Sequence, residues 1–191
     1  MEHPLQFVPV SQRKRLFFLF LTLTLVIFGI FRYIDAPLRT DAAPNGIVSF
    51  ELAGTSQVAW AITNSWKQSG VLLSSVAGQP NSEVVNIPYA FAAFGLGFDY
   101  LFMPIYALAL GFGTLLVTQK HSDWVRSLAV LAGYAAFIAP LFDAVENFAL
   151  WQILLGAVES NYPAIAAFCA IIKFGLLIFG LLVGLWGLFK K

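Results

Sequence analysis

The sequence predicts an all-α polytopic membrane protein, a four-transmembrane-helix bundle with one additional interfacial helical segment. Three observations carry that expectation. Of 191 residues, 59% are hydrophobic and only 11% charged, a balance that excludes an ordinary soluble domain and makes lipid the main solvent. Four apolar runs are each long enough to cross a hydrocarbon core of roughly 30 Å. The connections after the second and third runs are short, which makes the last three spans antiparallel neighbours.

A tail of residues 1–15 ends in Arg13, Lys14 and Arg15. The first span, residues 16–34, follows it, and its length, its closing Arg32 and the lack of a clean small-residue cleavage site favour an anchor over a cleaved signal peptide. Spans two, three and four are expected at residues 88–118, 124–155 and 163–189, the second starting at Pro88, a residue suited to a helix's first turn. Arg13, Lys14, Arg15, Lys120, Arg126, Lys190 and Lys191 fall on one side of this topology, against Arg32, Arg39 and Lys67 on the other. The positive side is read as cytoplasmic, with both termini there and the cell inner membrane as location.

Residues 35–87 form an extracytoplasmic segment. Pro37 and Pro44-Asn45-Gly46 punctuate its start. Residues 47–66 read as one helix with Ile47, Phe50, Val58, Ala61 and Ile62 on an apolar side, and with Trp60, Trp66 and Lys67 suited to the headgroup level. Residues 78–82, Gly-Gln-Pro-Asn-Ser, break it before the second span. Glu51 is expected to be solvated or to pair with Arg39, and to guard an entrance if this helix folds over the bundle.

Several chemistries are excluded. A single cysteine, Cys169, permits neither an internal disulfide nor a dithiol centre. His3 lies on the tail and His121 in a polar turn, which does not suit a bis-histidine haem. No serine or cysteine has a histidine at a plausible depth for nucleophilic catalysis, and no glycine-rich nucleotide loop is present. The near balance of 11 basic and 10 acidic residues gives no overall field for nucleic acid. No metal and no cofactor are expected, and no catalytic residue is assigned.

Ionisable groups inside the spans are the functional signal, because each costs at least about 2.5 kcal/mol on insertion scales. They are Asp99 in the second span, Asp143 and Glu146 with Asn147 in the third, and Lys173 in the fourth. All lie about ten to thirteen residues from the outer end, hence in one layer roughly 15 to 20 Å deep. Asp143, Glu146 and Asn147 share a helix face by their spacing, and Asp99 shares a stripe with Phe102, Met103 and Tyr106. Pro140 and Pro104, close to the acids, are positioned to kink their helices. One lysine cannot neutralise three carboxylates; the others must be protonated, hydrated or matched by something brought in. Gly180-x-x-x-Gly184 and Gly187 read as a smooth packing face, within the bundle or between subunits.

The stretch Phe31-Arg32-Tyr33-Ile34-Asp35, a tryptophan-rich outer excursion, Asp99-Tyr100-Leu101-Phe102-Met103-Pro104-Ile105-Tyr106 and a basic turn with Trp124-Val125-Arg126 together give residues 31–147 an architecture that resembles the EXPERA family of membrane proteins. That family includes sterol isomerases and small lipid-binding relatives. The resemblance implies a cavity where buried carboxylates face a cationic amine or a carbocation-like state of a lipid, with Asp99 matching the acid of the second span.

Three functions stay open: a membrane protein that binds or transforms a lipid or hydrophobic small molecule, including a cationic one; an accessory or assembly subunit, or homo-oligomer, glued by its polar layer; and a proton- or cation-coupled transporter component. Glu51, Asp99, Tyr106, Asp143, Glu146, Asn147 and Lys173 are the candidates for ligand binding or proton relay in all three.

Overall fold

The computed structural model describes residues 1–69, 71–72, 84–85, 87–122 and 124–190. Four helices, α1 (Val10–Asp35), α4 (Ile87–Lys120), α5 (Trp124–Leu154) and α6 (Tyr162–Phe189), are long and apolar enough to cross a membrane. Between α1 and α4 come a 3-10 turn (Ala36–Leu38), the short helices α2 (Ile47–Glu51) and α3 (Ser56–Gln68), and a two-residue antiparallel ladder of β1 (Val71–Leu72) with β2 (Val84–Val85). That ladder was not legible as a pattern, since two residues show no period. The expected break at residues 78–82 lies outside the described residues.

The chain divides into two compact units. The first comprises Met1–Gly29, Asp99–Val145 and Cys169–Lys191. Its packing relies on small residues, as expected where lipid supplies no force between helices. Ala129, Ala132, Ala136 and Ala139 make a fully buried stripe on α5, spaced alternately by three and four residues. On α6 a Cβ at Gly180 would lie 2.6 Å from Leu110, and one at Gly187 would lie 2.3 Å from Val117. Gly184 has nothing within 4 Å at that position, so of the three glycines expected on the packing face, Gly180 and Gly187 make the close approach. α1 exposes Phe18, Leu19, Leu25, Val26 and Phe28. Only 11% of its apolar window is buried, against 61% in α4, so α1 is the least enclosed of the four helices.

The tail is part of this unit. Leu5 and Val8 pack with Phe112 and Leu115, while Arg13 donates from Nε to Val8 O at 2.7 Å and from Nη2 to Gln6 O at 2.8 Å. His3 is buried, its ring so close to α5 that a Cβ on Gly133 would fall 2.2 Å from Nε2. Its Nδ1 accepts from the Leu5 N–H at 3.2 Å, and Nε2 lies 3.1 Å from Thr114 Oγ1, whose hydroxyl donates to the carbonyls of Leu110 and Gly111. Those bonds fit a neutral ring protonated on Nε2. Burial, with the Arg13 charge adding to it, lowers the His3 pKa to about 4.

The second unit comprises Ile30–Phe98 and Glu146–Phe168. Its core joins Phe50, Ile62 and Trp66 to Ala92, Leu96, Leu150 and Ile153. The expected single helix over residues 47–66 is instead two. Gly54 takes a left-handed φ of +68° and Thr55, extended at φ −131°, caps α3 by accepting from Val58 N at 3.3 Å. The apolar periodicity masked that Gly-Thr punctuation. The break also turns the faces: Phe50 and Ile62 are buried, whereas Val58 and Ala61 are exposed. Trp66, expected at the headgroup level, is fully buried, edge-on to Phe50 at 5.1 Å, with Nε1 donating to Leu38 O at 2.8 Å.

Asp35 organises the start of this unit. Its Oδ1 accepts from Ile47 N at 2.8 Å and its Oδ2 from Arg39 Nε at 3.2 Å. Gly46, at φ +60°, allows the approach, because a Cβ there would sit 2.1 Å from Asp35 Oδ1.

Two outcomes follow for purified protein in detergent. Gly46→Ala should cost about 1–3 kcal/mol, read as a lower thermal midpoint, from left-handed strain plus displacement of the Asp35 side chain. Stability should be full above pH 6.5 and decline toward pH 4, because the unfolded chain then binds a proton at residue 3 that the folded chain resists. His3→Gln should flatten that part of the profile; an unchanged slope would show that other groups set it.

Candidate functional site

Three helices bring one polar network together inside the first unit. Asp143 on α5 is 2% exposed and Lys173 on α6 is 5% exposed. Lys173 Nζ lies 3.0 Å from Asp143 Oδ1, forming a buried ion pair. Tyr106 on α4 donates its phenolic proton to Asp143 Oδ2 at 2.8 Å. Each carboxylate oxygen thus has a donor from a different helix. Phe102 lies edge-on to Tyr106 at 5.2 Å, and Met103, Tyr106 and Ala107 form an apolar cluster with Phe137 and Leu177 around it. Lys173 Nζ also sits 4.7 Å from the centroid of Phe174.

The arrangement is chemically specific. In an apolar surrounding an ion pair must have excellent geometry and satisfied remaining donors to offset desolvation. Here the phenol supplies the further hydrogen bond, and the pair carries no net charge. Such a network can hold a proton between phenol, carboxylate and amine, but it presents no unbalanced acid to a cation. Tyr106, placed by its spacing on a stripe with Asp99, directs its hydroxyl to Asp143 on the neighbouring helix. Asp99 is half-buried in the same unit. α4 and α5 run without interruption through Pro104 and Pro140.

The other candidates belong to the second unit. Glu146 is completely buried and Asn147 is 1% exposed, with Nδ2 donating to Leu96 O at 3.4 Å. Glu51, at the end of α2, is 8% exposed, so the expectation of a solvated side chain is corrected: the break at Gly54 lets α2 turn Phe50 and Glu51 inward. Arg39 pairs with Asp35. Phe50 packs in the same core as Ala149 and Leu150, which lie just beyond Phe148 on α5. The unit's basic residues, Arg32, Arg39 and Lys67, are all exposed. Among the described residues its buried polar side chains are Asp35, Glu51, Thr63, Glu146 and Asn147.

Among the described residues, no group of three His, Cys, Asp or Glu side chains is placed to hold a metal ion. Sequence reasoning missed His3 and Arg13 as interior residues. The apolar Leu5 and Val8, within an otherwise polar tail, were the available signal that it folds back. No protein-family model, curated protein or solved structure matches the chain.

The ion pair can be weighed by substitution. Lys173→Met should destabilise by about 3–5 kcal/mol because it strands a buried carboxylate, whereas Lys173→Met combined with Asp143→Leu should recover much of the loss. Tyr106→Phe should cost about 1–2 kcal/mol. Chemical unfolding in detergent would measure all three, and additive losses in the double variant would argue against a coupled pair.

Proposed function

We propose that this integral membrane protein binds a lipid or hydrophobic small molecule bearing a positive charge, with Glu51, Glu146 and Asn147 as the ligand-facing groups. The observation that carries the reading is the inward placement of acids in the second unit: among the described residues Glu51 and Glu146 are buried with Asn147, Asp35 is buried and bonded to Arg39 and Ile47 N, and the basic side chains are exposed. Carboxyl groups enclosed by apolar residues are complementary to an amine or another cationic centre on a hydrophobic body. The resemblance to the EXPERA family points to the same ligand chemistry, although it rests on Asp99, which lies in the other unit. An inner-membrane location with cytoplasmic termini belongs to this proposal through the distribution of basic residues.

The Tyr106–Asp143–Lys173 network supports a second reading. Its closed geometry suits a polar clamp in an accessory or assembly subunit, with no ligand at Asp143. A coupled transporter gains less support, because the most obvious coupling acid is already matched by a lysine.

Dodecylamine and dodecanol distinguish the readings, since they share a chain and differ in charge. With wild-type protein, dodecylamine should raise the thermal midpoint and dodecanol should not, and Glu146→Gln or Glu51→Gln should abolish the difference. Equal effects of both compounds on wild type, or a selective effect that survives both substitutions, would leave the clamp reading standing alone.

A further inference from the structure

The first unit has a cleft of about 490 Å³ whose wall includes Arg13, Lys120, His121 and Arg126 together with the neutral donors Gln119 and Ser122. Among its described lining residues none is acidic. Arg13 is the informative member. It is 5% exposed, its bonds to Val8 O and Gln6 O are to neutral carbonyls, and among the described residues no carboxylate forms an ion pair with it. The guanidinium has five N–H groups, of which these bonds use two. A fixed, enclosed positive charge whose hydrogen bonds go to neutral carbonyls is complementary to an anion. His121 reinforces the shape of the wall, since its Nε2 donates to Gly187 O at 2.9 Å and so anchors the turn after α4 to the end of α6.

We propose that this cleft binds a phosphate group, with Arg13 as the fixed floor cation and the exposed Lys120 and Arg126 as further cations on its wall. Guanidinium groups match phosphate oxygens bidentately, and an ammonium adds a point charge. The size of the cleft admits a phosphate with an attached glycerol. Basic pockets between helices near a membrane surface are suited to phospholipid headgroups, and a soluble phosphate monoester presents the same chemistry. This site is separate from the carboxylates of the second unit and does not depend on their role.

The full chain is tested in phosphatidylcholine nanodiscs with and without phosphatidylglycerol, and in detergent with glycerol 3-phosphate. Lys120→Gln/Arg126→Gln alters only exposed side chains, and Arg15→Gln, an exposed base on α1 outside the cleft, is the control. Native mass spectrometry should show phosphatidylglycerol retained over phosphatidylcholine by wild type and Arg15→Gln, with that preference about tenfold weaker in the double variant. Retention of the lipid without a midpoint shift by glycerol 3-phosphate assigns the headgroup as source. A shift by glycerol 3-phosphate, lost in the double variant, assigns a soluble phosphate. The proposal is overturned if neither compound binds, or if the double variant and Arg15→Gln behave alike.

Discussion

A lysine and an aspartate enclosed by apolar helices have few tolerable arrangements, and the contact between Lys173 Nζ and Asp143 Oδ1 at 3.0 Å fixes how α5 and α6 face each other in the first unit. The rest of the packing follows its spacing. On α6, Lys173, Gly180 and Gly187 recur every seven residues, so the face that carries the charge is also the face that lets α4 approach at Leu110 and Val117. On α5, Ala129, Ala132, Ala136, Ala139 and Asp143 alternate by three and four, and the stripe continues through Glu146, Leu150 and Ile153, all at most 2% exposed. Small residues bring the backbones close; the ion pair sets the rotation at which they do so. Tyr106 adds α4 to the same constraint.

Both units also satisfy backbone groups in the segments that flank the long helices, which matters where water is scarce. In the first, Arg13 collects the carbonyls of Val8 and Gln6, and His3 accepts from Leu5 N–H. In the second, Trp66 reaches the Leu38 carbonyl and Asp35 the Ile47 amide. These bonds convert the tail and the α1–α3 connection from loose chain into packed structure. Arg13 consequently has two roles: it contributes to the basic side of the helices, and it holds the turn that seats Leu5 and Val8.

The four long helices were legible because an apolar run of that length has one cheap conformation in lipid. Some site geometry was legible too. The ionisable residues stood out from the apolar runs, and Lys173 was the one base among them. Which acid it takes was not legible, since Asp99, Asp143 and Glu146 were all placed at similar depth and helix rotation decides the partner. Tyr106 illustrates the limit: helical spacing aligned it with Asp99, while its phenol bonds across to Asp143. Trp66 and Glu51 were misplaced for a local reason. The left-handed Gly54 and the Thr55 cap divide the outer helix and reset which side chains face inward.

The division of charge then orders the functional readings. A carboxylate already matched by an amine and a phenol has little electrostatic attraction left to offer a third group, so Asp143 stabilises its unit more than it recruits a cation. Glu51 and Glu146 lie in a unit whose bases face outward, and Arg13 lies in one where a buried base borders a cleft with no acidic side chain among its described lining residues. A charge held in such a place is screened by fewer water dipoles and so acts more strongly on a bound group. Opposite local chemistries can therefore operate in one small chain whose formal net charge is only +1. The balance of the whole is uninformative; the two proposed sites differ in the kind of ionisable group that each unit buries.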